Sequence, residues 1–324
     1  MSNNTYTVPE SYPMNGGDGI NSYTKNSSFQ RAGANAVKAV IDDVIAEKLD
    51  VEKIFSSSKG TFRIADLGCF AFEMPEFQVF FNDHASNDFN TLFASLPPER
   101  SYFATGVPGS FHGRLFPNFS LDFVYSSYAL QCLSKVPEEL LNKNSAAWNK
   151  GRVHYASAPD EVAQAFTTQF AKDITAFLDC RAKELVVGGL LVLIMPGVPN
   201  GIPHSSTLTG AIFDFLGQCL MGMAKEGLIS EAQVDTFNLP VYFASPKEMT
   251  QLVERNECFS IERMEITLPC AGADDLIGII SKHFGVEIID ELFERFCKKQ
   301  GDFISMLESK YNEGDQLFIV LKRI

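Results

Sequence analysis

The chain lacks any paired cysteine motif: its seven cysteines, at 69, 132, 180, 219, 258, 270 and 297, are odd in number and show no CxxC spacing. That pattern argues for reduced thiols and against a zinc or disulfide framework. No apolar run reaches the length of a membrane-spanning helix, and the opening MSNNTYTVPESY is polar where a secretory leader would carry an apolar core. The expectation is a cytoplasmic protein with no membrane partner. Positive charge is in short supply, 27 Lys and Arg against 40 Asp and Glu, and the net charge of −13 argues against a nucleic-acid surface. What remains is a chain of 324 residues, 45% hydrophobic and 21% charged, able to bury a large core and suited to a small-molecule ligand.

What is present is organised around residues 63–83, RIADLGCFAFEMPEFQVFFND. Two short apolar runs, 62–67 and 77–81, each end in an acid beside a turn residue: Asp66 with Gly68, and Asp83 after Asn82. Buried parallel strands have this form, and in an open α/β sheet ligands sit outside the strands' carboxyl ends. Asp83 at the end of the second run suits a ribose diol, because a carboxylate accepts two hydroxyl hydrogen bonds. Asp66 and Gly68 would let the backbone approach the other half of the same ligand. A dehydrogenase reading fits the acid but not the sequence after the first strand, which has no GxGxxG. Only residues 70–76 separate Cys69 from Phe77, whereas a parallel crossover takes about a dozen residues or more. Either the two strands are not parallel neighbours or the natural chain is longer there; the second is the preferred reading.

Residues 1–30 are polar and carry Gly16, Gly17 and Gly19, the composition of a solvated tail or of a flap that folds over a ligand. From Arg31 the pattern is helical, with Val37, Val40, Ile41, Val44 and Ile45 on one face. A helix start at 87–90 and a third strand at 101–106 follow. The loop 106–113 is either a plain connector or a place where Ser110 and Phe111 hydrogen-bond and stack on an aromatic ring. A fourth strand, 121–126, runs into Ser126, Ser127 and Tyr128. Ser157 as cap, with Pro159 and Asp160, opens a long helix whose Val162, Phe166, Phe170, Ile174 and Phe177 are core; Gly188 and Gly189 end it. A fifth strand is expected at 190–195. The run 208–223, almost free of charge, must lie against other protein or line an apolar cavity. Strands at 258–267 and 316–321 are expected to pair antiparallel at one sheet edge, with two helices between them and a second shortening near Pro269–Asp275.

With these pieces placed, the chain resembles the plant SABATH family of S-adenosylmethionine (SAM)-dependent methyltransferases, the salicylate, jasmonate and caffeine-type enzymes of plant secondary metabolism. The resemblance spans nearly the whole length. It is carried by NGGDG at 15–19, NSYTKNS at 21–27 with Gln30, IADLGC at 64–69, FND at 81–83 with NDFN at 87–90, GVPGSFHGRLF at 106–116, SSY at 126–128 with Leu133-Ser134, and FNLP at 237–240. It implies a Rossmann-like methyltransferase core of α/β class, a mostly parallel sheet with an antiparallel edge pair, plus an α-helical cap. The core would comprise 31–195, 241–267 and 315–324; the cap and lid 1–30, 196–240 and 268–314. Read across by motif, Tyr23, Ser27, Asp66, Gly68, Asp83 with His84, Ser110 and Phe111 would hold the cofactor. Gln30, Tyr128, Gln131, Cys132, Ile212 and Phe213 would meet the acceptor. Some relatives carry a magnesium ion at positions matching Asn149, Asp235, Phe237 (through its carbonyl) and Asn238, an all-oxygen set suited to a hard cation, although Asp235 and Asn238 are equally residues that cap helices. Dimers are common in the family.

Three departures bear on the acceptor and the cofactor. Phe70-Ala71-Phe72 stands where the family has a Gly-Pro-Asn loop around the methionine end of SAM. Gln131-Cys132 stands where carboxyl-specific members have a Trp whose indole N–H helps hold the carboxylate, and a thiol is a weak donor. Asn15 replaces the Lys of salicylate-type members. The resemblance therefore implies methylation of the carboxyl group of a small plant metabolite, with N-methylation of a xanthine or pyridine-type ring, or cofactor binding without turnover, as the alternatives.

Overall fold

The computed structural model describes residues 33, 34, 36–49, 61–67, 77–267, 280, 283–296 and 315–324. The elements in chain order are α1 (Lys38–Lys48), β1 (Phe62–Leu67), β2 (Phe77–Asp83), α2 (Phe89–Ser95), β3 (Tyr102–Pro108), β4 (Leu121–Ser127), α3 (Asp160–Glu184) and β5 (Leu185–Pro196). Then come α4 (Leu208–Lys225), α5 (Glu231–Thr236), α6 (Pro246–Asn256), β6 (Phe259–Thr267) and β7 (Gln316–Arg323). Among the described residues, seven strands form one sheet in the order β3-β2-β1-β4-β5-β7-β6. The five strands from β3 to β5 are parallel, and β7 runs antiparallel to both β5 and β6, as the two edge runs foretold. The order reverses between β1 and β4, so a ligand crevice belongs at their carboxyl ends.

β1 and β2 are parallel neighbours, Phe62 opposite Phe77 and Leu67 opposite Asn82. That removes the first of the two readings of their short connection; residues 68–76, on which the second bears, lie outside the described residues, as does the segment 269–275.

Period-two alternation divides the sheet between two cores. β5 sends Leu190, Val192 and Ile194 to the face covered by Val37, Ile41 and Val44, and Leu191, Leu193 and Met195 to the opposite face. On that opposite face Val162, Phe166, Phe170, Ile174 and Phe177 of α3 pack with Met249, Leu252 and Val253 of α6. A third cluster joins α4 (Phe213, Leu216, Leu220, Met223) to Val234, Phe237, Ile288, Leu292 and Phe296. The near-chargeless run at 208–223 is thus buried against other protein. α5 and α6 each start with a capping box, Ser230 with Gln233 and Ser245 with Glu248, and Pro246 opens α6, so both helix starts are fixed locally.

Two expectations are corrected. α3 ends at Glu184, not at the glycine pair: Leu185 already pairs with Leu121, and the register then shifts so that Phe123 faces Leu190. Gly188, at φ +87, and Gly189, where a Cβ would stand 2.9 Å from the Asp122 carbonyl, accommodate that irregularity inside β5. Ser157 does not cap α3, whose N-cap is Pro159. Its hydroxyl instead bonds Asp214 of α4, tying the segment that leads into α3 to the third cluster's helix.

Candidate functional site

The parallel strands bring the polar termini of β1, β2, β3 and β4 to one edge of the sheet. Asp66 stands between Phe81 and Tyr125, and Asp83 stands opposite Pro108. Asp66 is buried, and burial first, then its negative charge, hold the Tyr125 hydroxyl above the ordinary tyrosine range. Asp83 is half-buried; its Oδ1 accepts the His84 amide at 2.6 Å, and its other oxygen takes no hydrogen bond from the described residues. Burial pushes its carboxyl above the usual range, with the His84 amide and charge pulling the other way. A desolvated carboxylate short of donors is a site for hydroxyl groups.

The loop after β3 is tied to the same edge. Gly109 N–H donates to the Asp83 carbonyl at 2.9 Å, and Asn82 Nδ2 donates to the carbonyls of Val107 (2.7 Å) and Gly109 (3.0 Å). Gly109 adopts φ +149, and a Cβ there would lie 2.8 Å from the Leu115 side chain, so the turn requires glycine. Ser110 and Gly113 close a turn through a 3.0 Å backbone bond, and Phe111 sits on it with its ring 4.5 Å from that of His112. Asp83, Ser110 and Phe111 are therefore brought together by the buried Asn82, which the sequence marks only as a turn residue beside Asp83. A buried amide at a strand's carboxyl end was its signal.

Beside β1, β4 ends in strain. Tyr128 has φ +53, a conformation that costs a bulky residue roughly 1–3 kcal/mol and that surrounding contacts must impose. Its N–H donates to the Ile194 carbonyl at 2.7 Å, its carbonyl accepts Gln131 Nε2 at 2.7 Å, and its hydroxyl bonds Gln316 Oε1. Gln316 in turn donates to Thr267 Oγ1 (2.9 Å) and to the Gly33 carbonyl (3.4 Å). Residues 131–133 are pinned by Tyr242 N–H to the Gln131 carbonyl (2.8 Å) and Leu133 N–H to the Pro240 carbonyl (2.7 Å). Cys132 and Ile212 both pack against the cluster that contains Phe213. The Phe213 ring lies 4.6 Å from His154, a residue the sequence reading passed over. Burial, with the nearby His204 adding, pushes the His154 imidazole down to about 3, so it is neutral and no acid–base partner at neutral pH.

The residues of the magnesium set are gathered, and Asn149, Asp235 and Asn238 share in one hydrogen-bonded seam. Asn149 Nδ2 donates to Asn238 Oδ1 (2.9 Å) and to the His154 carbonyl (3.2 Å), and Asp235 Oδ1 accepts Gly151 N–H at 2.8 Å. Asn238 Oδ1 and Asp235 Oδ1 accept hydrogen bonds in a polar seam that pins 149–154 to 235–238, while Asn149 Oδ1 is buried with no hydrogen-bond partner among the described residues, an oxygen of the kind a hard cation takes. Tyr23, Ser27, Gln30 and Gly68 lie outside the described residues.

A family model described as SAM dependent carboxyl methyltransferase matches residues 9–71 and 70–324. The chain belongs to the SAM-dependent carboxyl methyltransferase family. This methyltransferase is similar to the loganic acid O-methyltransferase of Catharanthus roseus, 42% identical over 356 residues, with 98% of this chain and 95% of that protein covered. It is also similar to the farnesoic acid carboxyl-O-methyltransferase of Arabidopsis thaliana, 37% identical over 350 residues, with 97% and 99% covered. A solved structure of loganic acid methyltransferase with SAH superposes with a TM-score of 0.89 at 41% identity, covering 96% of this chain and 98% of that one. The two matched segments of the methyltransferase meet at residues 70 and 71, inside the short connection between β1 and β2.

Proposed function

We propose that this SAM-dependent methyltransferase methylates the carboxyl group of a small organic acid of plant metabolism. The observation that carries the reading is the carboxyl-methyltransferase match over nearly the whole chain, joined to an edge that sets Asp83 beside the Ser110–Phe111 loop. Two relatives are named for carboxylic acids, loganic and farnesoic.

SAM, when bound, supplies an electrophilic methyl group on a sulfonium. An acceptor carboxyl with an ordinary pKa near 4 is already ionised at neutral pH, so the chain need not remove a proton. That accords with an acceptor side built of amides, aromatic rings and a thiol, beside which the buried His154 imidazole is held neutral. In this reading Asp83 accepts the ribose hydroxyls, and Ser110 and Phe111 receive the adenine. Tyr128, Gln131, Cys132, Ile212, Phe213 and Gln30 shape the acceptor's place. Their task is orientation: reacting atoms held about 3 to 3.5 Å apart, in line, with water excluded.

Incubation with methyl-labelled SAM and a panel of small carboxylic acids and ring heterocycles tests this directly. The expected products are esters, labile in base. Base-stable methylated rings would replace the acid by a ring nitrogen. No transfer to any member, despite tight binding of S-adenosylhomocysteine (SAH), would leave a cofactor-binding protein without turnover.

A further inference from the structure

Arg181 and Glu184, one turn apart at the end of α3, are both wholly buried. Buried charges persist only where they are paired and hydrogen-bonded, and replacing such a pair by apolar groups is often neutral for stability. A different role must therefore be sought in what the two side chains hold. Arg181 Nη1 donates to the Phe111 carbonyl at 3.0 Å and Nη2 to the Gly113 carbonyl at 2.8 Å. Glu184 Oε1 accepts the amides of Leu115 (2.7 Å) and Phe116 (3.1 Å), and Arg114 Nε lies 3.4 Å from the same oxygen. Arg181 Nε stands 2.8 Å from Glu184 Oε2, so each charge fixes the other while both reach the same loop. Two side chains on one rigid helix thus grip five of the six residues from Phe111 to Phe116. A plain connector between β3 and β4 would need no such clamp.

We propose that the Arg181–Glu184 pair is a positioning device for the adenine end of the cofactor site: it fixes the loop so that Ser110 and Phe111 are set for the ring, and thereby governs SAM affinity without touching SAM. This rests on the reading of that loop given above. The guanidinium's planar fork spans two carbonyls that a lysine ammonium cannot span in the same geometry. Loss of the fork loosens the loop and leaves the acceptor side, built on Tyr128 and α4, in place.

The test uses the whole enzyme in three forms. Arg181→Lys keeps the charge but not the fork. Arg181→Met with Glu184→Leu leaves no unpaired buried charge, and it carries the test if the single variant does not fold. Phe111→Ala probes the loop itself. SAH affinity by calorimetry is read beside the KM for SAM, the KM for the acceptor, and kcat at saturating SAM. The expected result is a tenfold or greater rise in the SAH Kd and the SAM KM for both clamp variants, with acceptor KM and kcat within twofold of wild type. Wild-type SAH affinity in a folded clamp variant overturns the proposal, as does a loss of kcat and acceptor use that merely follows a fall in Tm. Wild-type SAH affinity in Phe111→Ala would instead remove the loop from the cofactor site, and the proposal with it.

Discussion

Asp83→Asn lowers affinity for SAH by roughly 10- to 150-fold, the equivalent of about 1.5–3 kcal/mol for hydrogen bonds to a charged group. The size of the effect follows from the setting. Asp83 is a half-buried carboxylate whose Oδ1 accepts the neighbouring His84 amide and whose other oxygen takes no hydrogen bond from the described residues. Asparagine keeps the shape and loses the charge and one acceptor, so it can serve one ribose hydroxyl well but not two. A pH dependence accompanies the loss. Burial sets the folded carboxyl above its unfolded value of 3.8, so in the free protein the stability this group contributes is present while it is protonated and declines as pH rises through the raised value. Ribose hydroxyls donate to the ionised form and draw the carboxyl back down. SAH affinity therefore falls as pH drops into the acid range, and the Asn variant flattens that profile. Calorimetry across that range checks both points; an Asn variant with wild-type affinity removes Asp83 from the site.

Cys132→Trp is expected to change acceptor choice by an order of magnitude in each direction. Backbone bonds from Tyr242 and to Pro240 pin the flanking residues 131 and 133, and Cys132 stands opposite Val241, so the substitution alters a side chain on a fixed backbone. Cys132 packs with Ile212 against the Phe213 cluster, where an indole would occupy space and present an N–H donor. For a small, flat aromatic acid the new charge-assisted hydrogen bond, worth about 1.5–3 kcal/mol, raises kcat/KM tenfold or more. For a bulky acid the lost volume lowers it by a comparable factor. Steady-state kinetics on one acid of each kind reads the two effects separately. If Cys132 does not border the acceptor, neither ratio moves, and overpacking appears only as a lower Tm, from a cost of roughly 1–3 kcal/mol.

Where the candidate site's residues fall in the fold was legible in the sequence, because that depends on strand ends. Asp66, Asp83, Ser110 and Tyr128 were picked from four separate stretches, and parallel pairing brings the four strand ends to one edge. Alternation along 190–195 and 316–321 likewise fixes which residues meet which face. What the sequence hid depends on contacts far apart along the chain. The end of α3 is set by pairing of Leu185 with Leu121, which overrides a helical pattern that local signals carried as far as Gly188. Ser157 has the chemistry of a cap but finds Asp214 across the fold. Arg181 and Glu184 look like one more i, i+3 pair on a helix, and only their grip on residues about 70 positions away gives them a role. Gln316 sits in an apolar strand with nothing in its own neighbourhood to mark it as the partner of Tyr128.

The claim on which the rest depends is that the carboxyl ends of β1, β2 and β3 form the cofactor's seat. A crystal structure of the protein with SAH measures it without intermediary: both ribose hydroxyls are expected within hydrogen-bonding distance of the Asp83 carboxylate, about 2.5–3.0 Å, with the adenine ring against Phe111. Density for SAH elsewhere on the molecule, or a ribose turned away from Asp83, would contradict the account.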